Sequence, residues 1–339
     1  MDFLIKNKKT FVLLVAAVVT ILNWSYISEN WEFLLKEWEQ QQSTIAPQPN
    51  ANYPNNNSNN IDISPIIPAQ PNTPKETNKS SNPSKQLKGI KIVSWNLYNI
   101  GISKDDSEVE FIANLLKNYH IIAIQEISTK LSGPRAVVKL NDELGRKNGK
   151  WDYVISDPTI GPGSERYAYL WRTDLISLSG RPWLSKPLQD KVDREPFMAR
   201  FKSGENTLLL GNFHAVPTSK KPQTEIQHLV ELHRSYRKDN LLIMGDFNLS
   251  QKHEAFSVLK QRGYSPILVD QKTSLRRTAI NGDYLAQEYD NLFYSNSVFK
   301  LKRSGIIDFV SKFESLKAAR SISDHMPIWC ELSWASIEE

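Results

Sequence analysis

The pattern of apolar and polar residues changes character near Gly89. From there on, short apolar or alternating runs of strand type recur, with longer stretches of helical spacing between them. Predicted helices cover 108–119, 136–144, 224–236 and 254–261, and predicted strands cover 90–95, 121–127, 151–155, 166–171, 196–201, 207–214, 241–244, 289–294 and 326–333. Many short strands with a few interspersed helices predict a large α/β sandwich over residues 89–335.

The N-terminal segment has a different pattern. Three lysines, Lys6, Lys8 and Lys9, precede the apolar run FVLLVAAVVTIL at 11–22. With its flanking residues the run is close to the shortest length that crosses a bilayer. A cleaved signal peptide would need a small-x-small site after the run, whereas Trp24 and Tyr26 stand there as residues typical of a membrane interface. We therefore predict an uncleaved anchor over 1–28, with a transmembrane helix at about 10–27 and the rest of the chain outside the cytoplasm.

Two further segments separate this predicted anchor from the sandwich. Residues 29–42 carry Trp31, Leu34, Leu35 and Trp38 at helical spacing, which predicts a short amphipathic helix. The helix could lie on a membrane, pair with a partner or simply continue the anchor. Residues 43–88 are rich in Pro, Asn and Ser and lack apolar periodicity, so we predict a disordered linker.

Charge and cysteine content restrict the function only weakly. The 339-residue chain has a formal net charge of +5, which permits a polyanionic partner without requiring one. Cys330 is the only cysteine, so the chain can form neither an intrachain disulfide nor a metal site built of several cysteines. The sequence indicates no protein partner.

The stretch LLIMGDFNLS at 241–250 combines a predicted buried strand with polar residues directly after it. Gly245 allows a tight turn, and Asp246 and Asn248 stand two positions apart, so that in an extended segment both side chains point the same way. A carboxylate and an amide in this position suit a site for a phosphate or a metal. A plain turn is the competing interpretation, because Asp and Asn favour turns for local hydrogen-bonding reasons.

Similar polar groups follow or precede other predicted strands. Each one alone is more often a cap or a turn residue. Together they could converge at one rim of the sandwich. The set comprises Asn96, Glu126, His214, Asp246, Asn248, Asp290, Asp324 and His325.

These residues carry a resemblance to the endonuclease/exonuclease/phosphatase superfamily, and within it to the deoxyribonuclease I branch. The matching motifs are SWNL at 94–97, QEI at 125–127, SERYAYLWR at 164–172, DREPFMARF at 193–201, HAVPTSKKPQTEI at 214–226, GDFN at 245–248, EYDNLFY at 288–294 and SDHMP at 323–327. They occur in order through nearly all of the globular part. The resemblance implies a four-layered α/β sandwich, with two packed, mostly antiparallel β-sheets flanked by helices.

The resemblance also implies a metal-dependent phosphodiesterase, most simply a membrane-tethered endonuclease that hydrolyses DNA by in-line attack of water. A sphingomyelinase-like or phosphoinositide phosphatase-like hydrolase of the same superfamily is one alternative. A non-catalytic binding module on the same fold is another. The Arg-Glu-Pro and Glu-Arg-Tyr segments favour the nuclease.

Roles for individual residues follow from the same resemblance. Glu126 and Asp324 are expected to bind Mg²⁺, with Mn²⁺ or Ca²⁺ as alternatives, since hard cations prefer oxygen ligands. His214 with Glu165, and His325 with Asp290, are expected to form two His–carboxylate pairs, one acting as base and the other as acid. Which histidine has which role stays open. The expected catalytic residues are thus Glu165, His214, Asp246, Asp290 and His325, and the expected phosphate-binding residues are Asn96, Arg194 and Asn248.

The chain departs from the family pattern in three places. The cysteines that brace secreted deoxyribonuclease I are absent, and the anchor and the linker have no counterpart in the family. The segment LRRTAINGD at 275–283 is expected to be a loop, in which Arg276 and Arg277 either contact a polyanion or are simply solvated.

Overall fold

The computed structural model describes residues 87–101 and 104–335. The predicted anchor, amphipathic helix and linker, at 1–28, 29–42 and 43–88, lie outside the described residues apart from the last two residues of the linker, and they stay predictions. Within the described part, no helix is long and apolar enough to cross a membrane.

Strands make up most of the described chain. They are β1 Ile90–Ile100, β2 Ile121–Ile127, β3 Trp151–Ile155, β4 Arg166–Arg172, β5 Ser177–Leu178, β6 Trp183–Leu184, β7 Phe197–Ser203, β8 Asn206–His214, β9 Leu241–Asp246, β10 Tyr264–Pro266, β11 Leu275–Ile280, β12 Asp283–Leu285, β13 Asp290–Ser295, β14 Phe299–Ile306 and β15 Ile328–Trp334.

The α-helices connect these strands, together with short 3₁₀ turns at Lys186–Leu188, Thr218–Lys220, Glu254–Phe256 and Val310–Lys312. The α-helices are α1 Asp106–Leu116, α2 Ser132–Lys147, α3 Gln223–Ile226, α4 Val230–Ser235, α5 Ser257–Gln261 and α6 Leu316–Ile322.

The strands form two large sheets and one separate hairpin. The first sheet has the order β14-β15-β1-β2-β4-β3, and the second has the order β10-β13-β9-β8-β7-β5, with β6 also paired to β7. Each sheet contains one parallel pair near its centre, β1 with β2 and β8 with β9, and its other pairs are antiparallel. The predicted pair of mostly antiparallel sheets is confirmed.

Three apolar cores hold the layers together. The core between the two sheets is built from the inward side chains of both, such as Ile92 and Tyr169 from the first and Phe201 and Met244 from the second. A second core lies between the first sheet and helices α1, α2 and α6. A third lies between the second sheet and helices α3, α4 and α5. The result is the predicted four-layered sandwich, in which every sheet face is covered.

Helix α1 shows how local sequence fixes one of the outer layers. The Asp105 side chain accepts from the backbone N–H of Glu108, and the Glu108 side chain accepts from the backbone N–H of Asp105. This capping box satisfies N–H groups that would otherwise lack partners at the helix start. Val109, Ile112 and Leu116 then recur on one face and are buried against the first sheet.

Two predictions about local structure were wrong. The helix predicted over 224–236 is broken into α3 and α4, because the backbone tightens between them: Leu229 N–H donates to Ile226 O, and Leu232 N–H donates to Leu229 O, in three-residue steps. The segment at 275–283 is not a loop but the hairpin β11–β12. Its turn is Asn281-Gly282, both with positive φ (50° and 82°), which is the residue pair that a tight hairpin turn favours.

The strand order brings polar chain segments to one edge of the sandwich. The carboxyl ends of the parallel strands β1, β2, β8 and β9 and the amino ends of their antiparallel neighbours β4, β13 and β15 meet there. Asp246 at the end of β9 is level with His214 of β8 on one side and with Asp290 of β13 on the other.

Candidate active site

Asn96 and Glu126 come from the parallel pair β1 and β2. The two strands stay in register up to the pair Asn96 and Gln125, after which the register shifts. Glu126 lies in this irregularity with a left-handed backbone, φ 59°. Left-handed backbone is costly for a residue with a side chain and concentrates at functional sites.

The Asn96 amide links the two sheets at this edge. Its Nδ2 donates to Glu126 Oε1 at 2.9 Å and to Asp246 Oδ2 at 3.1 Å. Its Oδ1 accepts from the backbone N–H of Tyr98 at 3.0 Å. The other carboxylate oxygen of Glu126 accepts from the backbone N–H of Asn99 at 3.1 Å. The carboxylate of Glu126 is therefore held on both oxygens while its side chain stays about one-fifth exposed at 21%.

His214, at the end of β8, forms the first His–carboxylate pair. Its Nδ1 lies 2.9 Å from Glu165 Oε2 and 3.1 Å from Glu165 Oε1. The backbone N–H of His214 donates to the buried Tyr167 hydroxyl at 3.2 Å. The ring is thus oriented from two directions, and its Nε2 is left to face the interior of the site.

Arg194 lies behind this pair and is buried. Its Nε donates to His214 O at 2.9 Å, another guanidinium nitrogen donates to Ala215 O, and a third lies 3.5 Å from Glu165 Oε2. With its donors directed at the chain around His214, Arg194 is placed to position the His214–Glu165 pair. Its predicted contact with a phosphate stays a prediction.

His325, just before β15, forms the second pair. Its Nδ1 lies 2.8 Å from Asp290 Oδ2, and the Thr273 hydroxyl donates to the same oxygen at 2.7 Å. The backbone N–H of His325 donates to Ser323 Oγ at 2.9 Å, and Ser323 Oγ in turn donates to Asn96 O at 2.6 Å. These bonds fasten the histidine loop directly to the strand that carries Asn96.

Asp246 is the point on which the two pairs converge. Its Oδ2 lies 3.5 Å from His214 Nε2 and 3.5 Å from His325 Nε2. The preceding residue must be glycine, because Gly245 has φ 139° and a Cβ there would lie 1.8 Å from Phe213 O. Asn248 completes the turn: its backbone N–H donates to Asp246 Oδ1 at 2.9 Å, and its Nδ2 donates to Ala215 O at 3.0 Å.

Burial and charge act against each other on the two histidines. Burial lowers the pKa of His214, but the charges of Glu165 and Asp246 outweigh it and leave the pKa above its ordinary value. The same balance acts on His325, where Asp290 and Asp246 raise the pKa well above its ordinary value. His325 therefore holds its proton over a wider pH range than an unpaired histidine does.

The acidic residues fit a divalent cation. Four carboxylates lie together with two histidines and one arginine: Glu126, Glu165, Asp246, Asp290, His214, His325 and Arg194. Burial raises the pKa of Glu126; the charge of His214 opposes this, and the charge of Glu165 adds to it. A buried carboxylate whose charge is disfavoured in this way gains stability from a cation beside it.

A different trio, Asp246, Asp290 and His325, has ligand atoms within 4.8 Å of one another. His325 Nδ1 is already engaged by Asp290, and its Nε2 faces Asp246, so the trio has the arrangement of a proton relay. Glu126, with an exposed carboxylate among oxygen donors, suits a hard cation better.

The structure brings most of the predicted site residues together. Asn96, Glu126, Glu165, His214, Asp246, Asp290 and His325 form one bonded cluster. Asn248 supports it from the turn after β9. Asp324 lies beside it, ion-paired with Arg320 at 3.3 Å, and its role as a metal ligand stays a prediction.

Sequence reasoning overlooked three supporting residues: Thr273, Ser323 and Tyr167. Ser323 stands in the SDHMP motif and Tyr167 in the SERYAYLWR motif, so their motifs offered a signal, whereas Thr273 stands in a loop with none.

A two-sheet α/β sandwich with two His–carboxylate pairs at one edge defines a class of acid–base hydrolases. A family model described as "Endonuclease/Exonuclease/phosphatase family" matches residues 93–325, and the chain belongs to this family.

Similar proteins agree with this assignment. A deoxyribonuclease of Thioalkalivibrio sp. (strain K90mix) is 25% identical over 272 residues, covering 73% of this chain and 72% of that protein. Deoxyribonuclease gamma of Rattus norvegicus is 26% identical over 263 residues, covering 70% and 83%. An endonuclease/exonuclease/phosphatase family protein from Bacteroides thetaiotaomicron shares the fold, with a TM-score of 0.56, 17% identity and coverage of 73% and 98%.

Proposed function

We propose that the protein is a metal-dependent endonuclease that hydrolyses phosphodiester bonds of DNA. The observation that carries the proposal is the convergence of two His–carboxylate pairs on one oxygen of Asp246, each through Nε2 at 3.5 Å. In-line hydrolysis needs one group to take a proton from water and another to give a proton to the leaving oxygen. The deoxyribonucleases among the similar proteins support DNA as the substrate.

The two histidines divide the proton transfers between them. His325, whose pKa is raised well above its ordinary value, keeps its proton at neutral pH and serves as the general acid on the 3′ oxygen. His214 serves as the general base on the attacking water. Glu165 and Asp290 hold the two rings through Nδ1 and stabilise the charge each ring gains.

The remaining polar residues bind and orient the phosphate. The Asn96 amide group donates toward Asp246 and Glu126 and therefore fixes the floor of the site. Glu126 would hold a divalent cation. A cation bound there, of which Mg²⁺ is the proposed example, supplies charge neutralisation for the phosphate oxygens. The cation also balances the excess of carboxylates around the two histidines.

The acid role of His325 predicts a change in the pH profile. A general acid is active while it is protonated, so kcat falls as pH rises through its pKa. Asp290→Asn removes the carboxylate that raises this pKa, so the alkaline limb of the kcat profile should move to lower pH. Steady-state kinetics between pH 5 and about 10 would measure it. An alkaline limb that stays in place would contradict the assignment of His325.

A side-by-side substrate assay tests the proposed function. The full-length chain, purified in a mild non-ionic detergent, is offered supercoiled plasmid, sphingomyelin vesicles and phosphoinositide vesicles in the presence of Mg²⁺. We expect nicking of the plasmid, its loss on addition of chelator, and no release of a lipid headgroup. Headgroup release without nicking would instead support the lipid hydrolase alternative.

We further propose that the apolar run at 11–22 tethers the enzyme to a membrane, with the catalytic domain outside the cytoplasm. The lysines before the run and the aromatic residues after it support this orientation. In fractionated cells the full-length chain should stay in the membrane pellet after a high-salt wash, whereas a variant that lacks residues 10–27 should not. A mature chain that begins after residue 27 in the soluble fraction would contradict the tether.

A further inference from the structure

A short turn directly after Asn96 places an aromatic ring at the edge of the site. Tyr98 and Asn99 both have left-handed backbone, with φ 44° and 55°. Their backbone N–H groups donate to Asn96 Oδ1 and to Glu126 Oε2, so the turn holds two site residues at once. The side chain of Tyr98 is among the exposed large side chains, at 42%.

The residue type at this position is costly for the fold. Left-handed backbone favours glycine or asparagine, and a bulky aromatic residue there is unusual. Asn99 meets this preference and Tyr98 does not. Glycine at position 98 would make the same backbone bonds to Asn96 with less strain. A strained, exposed ring beside a catalytic site is therefore explained better by a contact made in function than by folding.

We propose that Tyr98 stacks on an unpaired base next to the scissile phosphate and gives the enzyme a preference for single-stranded or locally unpaired DNA. The inference rests on the proposed nuclease function. Tyr98 follows Asn96 by two residues, a reach of about 7 Å at most in extended chain, which is the scale of one nucleotide. In an intact duplex the base faces are covered by neighbouring bases, whereas an unpaired base offers a whole face to an aromatic ring.

Lys104 adds charge to the same place. Its Nζ lies 5.8 Å from the centre of the Tyr98 ring and donates to Tyr98 O at 3.2 Å. An ammonium group beside a stacking ring suits a nucleotide, since the ring takes the base and the ammonium takes the adjoining phosphate. Lipid headgroups offer no planar face for the ring.

The test compares variants of Tyr98 on matched DNA substrates with the full-length chain. For single-stranded oligonucleotides, Tyr98→Leu should raise KM at least about tenfold with little change in kcat, and Tyr98→Phe should behave as wild type. On fully paired duplex the loss should be much smaller. An oligonucleotide with an abasic nucleotide on either side of the scissile bond should be cleaved equally by wild type and Tyr98→Leu.

Controls separate this inference from the proposed function and from a folding effect. Val138→Ala removes another exposed apolar side chain, on α2 away from the site, and should leave both substrates unaffected. If wild type cleaves DNA and Tyr98→Leu keeps the wild-type KM on single strands, the stacking role is overturned while the nuclease function stands. If wild type cleaves no DNA at all, the proposed function itself fails.

Discussion

Replacing His214 or His325 with alanine should lower kcat for DNA hydrolysis by at least about 10²-fold, the usual contribution of a general acid or base. Each ring is held by one carboxylate at Nδ1 and faces Asp246 through Nε2, so neither histidine can take over the position of the other. KM should change far less than kcat, because the lost contact belongs to the transition state. Steady-state kinetics on a labelled oligonucleotide would measure both constants.

The double variant and a matched control make this prediction stricter. Residues that act as a unit give strongly non-additive losses, so the double variant should be little slower than the slower single one. His228→Ala is the matched control, since His228 lies outside the site and its Nδ1 is 3.4 Å from Glu231. A near-normal kcat in either single variant would overturn the two-histidine mechanism.

Glu126→Gln should raise the Mg²⁺ concentration needed for half-maximal activity by at least about tenfold. The substitution keeps the size of the side chain but removes the exposed negative charge among the oxygen donors of the site. A readout that does not depend on activity is calorimetric titration with Mg²⁺, in which binding to the variant should weaken by a similar factor.

The substitution also separates a metal-binding role from a structural one. Asn99 N–H and Asn96 Nδ2 can still donate to the Gln amide oxygen, although only one acceptor remains. Glu205→Gln, on an exposed side chain in the β7–β8 turn, serves as the control and should leave Mg²⁺ binding unchanged. Equal Mg²⁺ affinity of Glu126→Gln and wild type would remove Glu126 from the metal site.

The sequence predicted the layers and the edge at which the site lies because these depend on local signals. Strands such as β3 and β8 are marked by apolar runs, and their ends carry the polar residues that converge. The motifs around Asn96, Glu126, Asp246 and His325 fixed the family, from which the pairing of sheets followed.

Features that depend on tertiary contacts could not be predicted in this way. Strand β14 has exposed lysines at its outer edge and little apolar pattern, and only its pairing with β15 makes it a strand. Arg194 reads in sequence as a phosphate ligand, yet its donors are directed at backbone carbonyls that come from a strand end 20 residues away. Thr273 meets Asp290 only because their chain segments pack side by side.

The most direct test of the account is Mg²⁺-dependent nicking of supercoiled plasmid, measured for wild type and for the His214→Ala/His325→Ala double variant at equal concentration. We expect wild type to convert the plasmid to open circles, chelator to abolish this, and the double variant to be slower by at least about 10²-fold. Nicking that persists in the double variant, or a wild-type chain that leaves the plasmid intact with Mg²⁺, would contradict it.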